Sequence, residues 1–299
     1  MKTLKVVVLY ICWIFALSSN LFAQNNENSV KEISSKEQSY ILTDISFISD
    51  AIFLGRKDSI AAPYLFPSIG YYDKSGFFVD ASASYLTASN ENRIDLFLLS
   101  GGYLFSKNKW SGGVSATGYF YNDASYAVQS ALSAGLTGLI NYDFKVLETS
   151  LSLGSLFGSE NSVDFFTELK ISRSLYTKNE KFLIIPAIAL QSGSQNFYEA
   201  YYQSSRLGNR KGKGSGGQDI SSSQTITIKE ATEFNILNLE LSLPLQYYHK
   251  SFIFSFTPMV SFPQNGATIV TEDFTIQEEL DTIFYWSAGI SYWIPIKNK

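Results

Sequence analysis

The chain has 299 residues, of which 15% are aromatic and only 17% are charged, whereas soluble domains average about 25% charged residues. Its mean hydropathy is +0.00, and after residue 23 no apolar run approaches the roughly 20 residues of a spanning helix, which excludes a helical membrane protein. The 23 basic and 27 acidic residues give a net charge of −4, which argues against nucleic acid as a partner because nucleic-acid binding needs a basic surface.

Residues 1–23 are predicted to be a signal peptide. Lys2 and Lys5 precede an apolar stretch over residues 6–17, and "SSNLFAQ" places the predicted cleavage after Ala23. Cleavage there leaves 21 basic and 27 acidic residues, a net charge of −6, and removes Cys12, the one cysteine of the sequence. Disulfides and thiol catalysis are therefore excluded from the predicted mature protein.

After a polar stretch over residues 24–38, predicted to be a periplasmic lead-in, apolar and polar residues alternate in segments bounded by turn residues. Such alternation with period two is typical of β-strands. Twelve segments are predicted, at about 40–54, 63–72, 77–86, 93–105, 110–121, 126–142, 145–157, 163–176, 182–192, 232–248, 251–262 and 280–294.

The connections between these segments are alternately short and long. The short ones, such as "DKSG" (73–76) and "HK" (249–250), alternate with longer ones, of which residues 193–231 form the longest. Outer-membrane barrels place short turns on the periplasmic side and longer loops outside, whereas Greek-key sandwiches show no such alternation. The sequence therefore predicts an all-β fold, a transmembrane antiparallel up-and-down β-barrel over residues 39–299, with 12 strands and 10 or 14 as alternatives.

Each predicted strand has one strongly apolar face and one face of small polar residues. Leu239, Leu241 and Leu243, for example, alternate with Glu240 and Ser242. The apolar faces are expected to meet lipid, and the polar faces to meet the barrel interior. Aromatic residues flank the short turns, as expected where hydrocarbon meets water.

Ionisable residues on the polar faces are the candidate functional residues of the interior. Charges at membrane depth are tolerated only toward a lumen, so these side chains predict either a polar network that keeps the barrel rigid or a cation-preferring pore. Glu168 and Lys170 are expected to neutralise each other, and four aromatics, Phe97, Tyr103, Tyr119 and Phe166, are expected to face inward and obstruct a wide channel. The predicted inward ionisable residues are Asp80, Asp95, Glu148, Asp164, Glu168, Lys170 and Glu240.

No catalytic, cofactor-binding or metal-ligating residue is assigned, and no cofactor is expected. The single histidine, His249, falls in a short turn, and one histidine without cysteine cannot make a typical zinc site. The stretch "GNRKGKGSGG" (208–217) lacks the spacing of a phosphate-binding loop. It belongs to the connection 193–231, which is expected to be a mobile glycine-rich loop, with folding into the barrel, where it would narrow the lumen, as the alternative. The basic cluster of this loop is formed by Arg206, Arg210, Lys211 and Lys213.

Residues 46–86, "SFISDAIFLGRKDSIAAPYLFPSIGYYDKSGFFVDASASYL", and the leader "ALSSNLFAQ" resemble the outer-membrane β-barrel (porin-like) proteins of Bacteroidota. The similar strand spacing extends over nearly the whole predicted mature chain. The resemblance implies a Gram-negative outer-membrane location and a porin-like architecture. It transfers no catalytic or binding residue.

The sequence thus predicts a non-enzymatic protein of the cell outer membrane, either a narrow passive pore or a structural barrel. Its expected partners are the lipid bilayer and, during biogenesis, the barrel-insertion machinery. A different hypothesis is an envelope interaction module that binds an extracellular partner through loops 193–231 and 263–279. Two weaker hypotheses are an outer-membrane lipid hydrolase and a soluble lipid-carrying β-protein.

Overall fold

A computed structural model describes residues 38–57, 62–88, 91–123, 125, 127–158, 162–203, 227–271 and 275–296. Nearly all of its regular structure is β-sheet. The elements are β1 (Tyr40–Ile48), β2 (Tyr64–Tyr72), β3 (Phe77–Ala88), β4 (Glu91–Lys107), β5 (Trp110–Tyr121), β6 (Leu132–Asp143), β7 (Glu148–Gly158), β8 (Val163–Ser172), β9 (Leu175–Tyr176), β10 (Phe182–Ile184), β11 (Ala187–Gly193), α1 (Asn196–Gln203), β12 (Thr227–Ile228), β13 (Asn235–Ser242), β14 (Leu245–His249), β15 (Phe252–Pro263), β16 (Thr268–Val270), β17 (Thr275–Gln277) and β18 (Ile283–Pro295). Among the described residues, no helix is both long and apolar enough to cross a bilayer.

Three barrel strands are each interrupted, so that β8 continues as β9, β10 as β11 and β13 as β14. Two of the breaks fall at Pro186 and Pro244, because proline has no N–H to donate to the ladder. The strands still run on through these points, since the Ile185 amide donates to the Pro244 carbonyl at 2.9 Å. The described segments thus combine into twelve barrel strands, which confirms the predicted number.

The twelve strands form a closed antiparallel barrel. Each strand pairs with its neighbours in the sequence, and β1 pairs with β18 from Tyr40 opposite Pro295 to Ile48 opposite Ser287. Closure leaves no open edge in the barrel sheet, so the main chain satisfies its own hydrogen bonds without water. The described N-terminal and C-terminal residues lie together at one end.

The two ends of the barrel differ. The turn end holds the termini and the short connections around residues 73–76, 108–109 and 250–251. The loop end holds the longer connections, and there α1 packs beside a small second sheet in which β16 pairs with both β12 and β17. We use the name cap for α1, β12, β16 and β17 together with the described loop residues that flank these four elements. The barrel strands are not part of the cap.

The outer wall is apolar all the way round. Every barrel strand contributes at least one exposed apolar side chain: Ile45, Ile69, Val79, Leu99, Val114, Leu136, Leu153, Leu169, Ile188, Leu241, Phe254 and Ile290. Exposed aromatic residues ring the turn end: Tyr71, Phe77, Phe105, Trp110, Phe144, Phe182, Phe252 and Tyr292. An apolar band with an aromatic girdle on a closed barrel is the surface that a bilayer solvates, so the chain is an outer-membrane β-barrel.

A β-bulge in β4 corrects part of the predicted inward face. Ser84 lies opposite Leu96 and Tyr85 opposite Ile94, so Asp95 is the extra residue between them. Asp95 and Leu96 are therefore both buried, and the alternation restarts from Leu96. The prediction that Phe97 and Tyr103 face inward is wrong, since their side chains are 52% and 40% exposed on the outer wall.

Strand ends also differ from the sequence prediction at the loop end. The strand predicted from residue 126 begins at Leu132, and the first strand ends at Ile48 instead of continuing to residue 54. The segment after β1 and the segment before β6 both turn inward. Their apolar residues Ile52, Phe53 and Val128 are buried in the barrel interior. Alternating apolar residues there signal packing under the cap and not a longer strand.

Candidate functional site

The barrel interior is built in three layers that recur from strand to strand. In β1, the inward residues run from Leu42 through Asp44 and Ser46 to Ile48, so an apolar residue closes each end of a polar middle. The turn-end layer consists of Tyr40, Leu42, Tyr72, Phe78, Leu104, Leu139, Leu183, Ile185, Tyr248, Ile253 and Trp293. The loop-end layer includes Ile48, Tyr64, Phe66, Leu86, Leu96, Leu98, Tyr119, Leu156, Phe166, Leu237, Met259 and Tyr285.

The polar belt lies between these two layers. It is made of short hydroxyl residues and a few longer acidic and amide side chains, which bond to one another across the strands. Its described members include Asp44, Ser46, Asp80, Ser100, Ser115, Thr117, Thr137, Ser152, Glu168, Lys170, Gln191, Asn238, Glu240, Thr257, Ser287 and Ser291. Polar side chains at this depth need such partners, because the surrounding bilayer offers none.

Three acidic residues of the belt accept hydrogen bonds from side chains of other strands. Asp44 accepts a bond from the Ser291 hydroxyl at 2.5 Å, and Glu240 accepts one from the Tyr285 hydroxyl at 2.5 Å. Glu168 accepts a bond from the Gln191 amide at 2.8 Å. These three carboxylates are therefore each held by a hydrogen bond to another strand and are not isolated.

The structure distributes the seven predicted ionisable residues between two places. Asp80, Glu168, Lys170 and Glu240 lie in the polar belt, and Glu148 lies at its turn-end side, where the Ser174 hydroxyl donates to it at 2.9 Å. Lys170 is two residues from Glu168 on the same face and also interacts electrostatically with Glu148 and Glu240. The positive charge of Lys170 thus partly offsets the negative charges of several carboxylates.

Asp95 and Asp164 lie at the loop end, where they have structural partners. Asp95 accepts hydrogen bonds from the Tyr64 hydroxyl at 2.5 Å and the Ser125 hydroxyl at 2.6 Å, and forms an ion pair with Arg93 at 2.8 Å. These bonds fix the loop that follows β5 against the barrel wall.

Asp164, in β8, binds the N-terminal end of α1, which is the first element of the cap. Its carboxylate accepts hydrogen bonds from the Asn196 and Phe197 amides, each at 2.8 Å, and from the Ser194 hydroxyl at 2.7 Å. A carboxylate at the first turn of a helix satisfies otherwise unpaired N–H groups and suits the helix dipole. Asp164 therefore anchors α1 to β8.

The cap packs into the mouth of the barrel. Its buried residues Phe197, Tyr198, Ile228 and Ala267 belong to the same apolar cluster as the loop-end layer. The Phe197 ring meets the Phe53 ring edge to face, with centroids 5.0 Å apart. The loop end is thus filled by segments that follow β1, β11 and β15.

The sequence predicts a mobile loop over residues 193–231, but the described part of this loop is folded. Residues 196–203 form α1 and residues 227–228 form β12, which pairs with β16. The predicted basic cluster, Arg206, Arg210, Lys211 and Lys213, lies outside the described residues. His249 is the exposed last residue of β14, beside the short turn, with its ring stacked on that of Tyr247 at 6.5 Å.

Two residues that the sequence reasoning missed are central to the interior. Asp44 has the same strand parity as Leu42 and Ile48, and this signal is visible in the sequence once β1 is accepted as a barrel strand. Arg56 lies in a stretch that interrupts the alternation, yet it is 3% exposed and contacts the cap. Nothing local in the sequence marks it.

No family model matches the chain, and no curated protein sequence matches it. Several solved structures are similar in shape. The KdgM porin shares 10% identity over 84% of this chain and 98% of its own, with a TM-score of 0.46, and the NanC porin shares 9% over the same fractions, with 0.46. LpxR from Salmonella typhimurium shares 9% identity over 84% of this chain and 99% of its own, with a TM-score of 0.42.

Proposed function

We propose that the protein is a non-enzymatic outer-membrane barrel that acts as a narrow passive pore with a preference for small cations. The polar belt carries this proposal. Asp44, Asp80, Glu168 and Glu240 face the interior there, whereas Lys170 is the one basic residue among the belt members named above. Carboxylates that line a narrow, low-dielectric passage attract cations and repel anions.

The first test is single-channel conductance of the refolded mature protein in planar bilayers. Discrete openings with a reversal potential that favours cations are expected in a salt gradient. The double variant Glu168→Gln with Glu240→Gln should lower the cation-to-anion permeability ratio by about threefold or more, because it removes two belt charges without changing side-chain volume.

Glu233→Gln is the matched control, since Glu233 is exposed in the segment before β13 and outside the belt. Its permeability ratio should equal that of the wild type. A protein that is folded, as judged by heat-modifiable migration in gels, but silent in every bilayer would contradict the pore and favour a purely structural barrel.

The non-enzymatic part of the proposal has a separate test. A general base needs a nucleophile and an orienting partner within hydrogen-bonding distance. In the described part of the chain, the contact found for His249 is with the Tyr247 ring, and no carboxylate is bonded to it. Hydrolysis of envelope lipids that is lost in His249→Ala would overturn this part.

An interaction module is the second candidate, because loops 193–231 and 263–279 contribute to one folded unit. Their pairing leaves β17 at the edge of the small sheet, with all three of its residues exposed, including Ile276. An exposed strand edge can add a strand from another protein. Photo-crosslinking from position 276 in intact cells would capture such a partner, and uncrosslinked protein would count against it.

A further inference from the structure

Among the described residues of the loop end, Arg56 is a buried cation that contacts two different segments of the cap side. Its Nη2 donates to the Gln195 side-chain oxygen at 3.2 Å, just before α1. The same nitrogen donates to the carbonyls of Gln264 at 3.3 Å and Asn265 at 2.9 Å, in the connection after β15. Arg56 itself belongs to the connection between β1 and β2.

Glu278 completes this arrangement. Its carboxylate lies 3.0 Å from Nε of Arg56, and it accepts hydrogen bonds from the Tyr198 hydroxyl at 2.8 Å and the Ala267 amide at 3.0 Å. The Tyr198 ring also faces the guanidinium, at 5.8 Å from its centroid. One ion pair therefore joins the barrel wall to α1 and to both sides of the β16–β17 hairpin.

Arg56 is buried and Glu278 is mostly covered, with 2% and 15% of their side chains exposed, so this ion pair is important for the cap. Removing one partner of a buried pair leaves an uncompensated charge, which is far more unfavourable than losing an exposed pair. The described part of the cap has one eight-residue helix and three strands of two or three residues, so it has little regular structure of its own. Local openings arise first in segments of this kind.

We propose that Arg56 and Glu278 form a latch that holds the cap in the loop-end mouth, and that breaking the latch exposes the mouth to solutes. The structural part stands on the contacts of Arg56 alone. The consequence for conductance rests on the pore function proposed above. Two separate measurements distinguish the two parts.

The latch is tested by the accessibility of a buried position inside the cap. Ala267 is fully buried, and the predicted mature chain has no cysteine, so Ala267→Cys introduces a single thiol. Its rate of reaction with a water-soluble maleimide is measured in the folded protein, alone and combined with Arg56→Gln or Glu278→Gln. The control is Lys57→Gln, which removes an exposed cation, with 43% of its side chain exposed, from the ion pair that Lys57 forms with Asp50 at 3.5 Å.

Arg56→Gln and Glu278→Gln should each raise the reaction rate by about tenfold or more, whereas Lys57→Gln should leave it within about twofold, because only the first two disrupt an ion pair with a buried cation. Heat-modifiable migration identifies the molecules whose barrel is folded, and only these are compared. A rate in both latch variants that matches the control would overturn the latch.

Conductance of the same variants then tests the pore. Faster thiol reaction together with larger or more frequent openings supports both proposals. Faster reaction in a protein that stays silent supports the latch and overturns the pore. Larger openings with an unchanged reaction rate overturn the latch and leave the pore standing.

Discussion

The two ends of the barrel interior are both apolar, but they are closed in different ways. At the turn end, side chains of the barrel strands form the layer themselves, with the Trp293 and Tyr72 rings stacked on Tyr40 at 3.8 and 4.9 Å. At the loop end, segments outside the barrel strands enter the mouth and are fixed by Arg56 and Asp164. The turn-end layer is thus inseparable from the wall, whereas the latch proposed above implies that the cap can leave without unfolding the barrel.

Glycine substitutions at the two ends should separate these contributions most strongly. Gly76, in the turn after β2, has a φ of +107°, and an added Cβ would overlap the Leu104 carbonyl oxygen. Gly76→Ala should destabilise the whole barrel by about 3 kcal/mol or more, since it combines backbone strain with overpacking. Reversible urea unfolding in lipid vesicles measures this effect.

The matched loop-end variant is Gly55→Ala. Gly55 has a φ of +79°, and its added Cβ would lie 3.2 Å from side-chain atoms of Asn238. Its cost should be about 1–2 kcal/mol and should fall mainly on the cap, detected as faster thiol reaction at position 267. Equal losses of global stability in both variants would break the distinction between the two ends.

Removal of one large ring from each apolar layer should have the next largest effect. Trp293→Ala should lower the unfolding free energy of the barrel by about 3–5 kcal/mol, because the cavity lies among residues of the wall. Phe197→Ala should leave the urea midpoint close to that of the wild type and should loosen the cap. A midpoint shift for Phe197→Ala as large as that for Trp293→Ala would show that the cap is part of the cooperative barrel.

Loss of the charge at the start of α1 should have a smaller effect. Asp164→Asn keeps the side-chain size but weakens the bonds to the Asn196 and Phe197 amides. The stability of the cap should fall by about 1–2 kcal/mol. Hydrogen exchange of the α1 amides should therefore become faster. Unchanged exchange in α1 would show that the helix does not depend on this anchor.

Acidification should loosen the cap slightly. Partial desolvation acts to raise the pKa of Glu230, but hydrogen bonds from the Thr268 amide and hydroxyl outweigh it and hold that pKa below its ordinary value. A lowered pKa gives stability that is present above the unfolded value and is lost as pH falls through the folded one. The rate of thiol reaction at position 267, divided by the rate of a free model thiol at the same pH, should therefore rise below about pH 4. Glu230→Gln should reduce this Glu230-dependent component, and an identical pH profile in the variant would contradict the assignment.

The barrel could be predicted from the sequence because it depends on local regularities. Period-two alternation, turn residues and the alternation of connection lengths together give twelve strands, and closure follows from the need to leave no edge in the membrane. The same regularities place Tyr119 and Phe166 inside the barrel, where the structure has them.

The errors and omissions arise where long-range contacts decide. Strict alternation puts Phe97 and Tyr103 on the wrong face because a bulge at Asp95 shifts the alternation by one residue. Nothing in the sequence of this strand marks the position of the bulge. The cap is not predictable in this way because β12 has two residues and finds its partner forty residues later, in β16. The sequence around Arg56 is typical of a surface arginine. Its burial depends on Gln195, Asn265 and Glu278, which are distant in the sequence.

The pairing of β1 with β18 has a consequence for how the protein is made. The two strands that close the barrel are separated by about 240 residues, so the last ladder forms only after the whole chain has been synthesised and exported. Contacts of such high sequence separation form slowly, because the entropy of loop closure is lost before the pairing of the strands offsets it. Until then both terminal strands expose unpaired edges that can join other chains. Until β1 and β18 pair, the chain is therefore prone to aggregate, and closure of the barrel removes this risk.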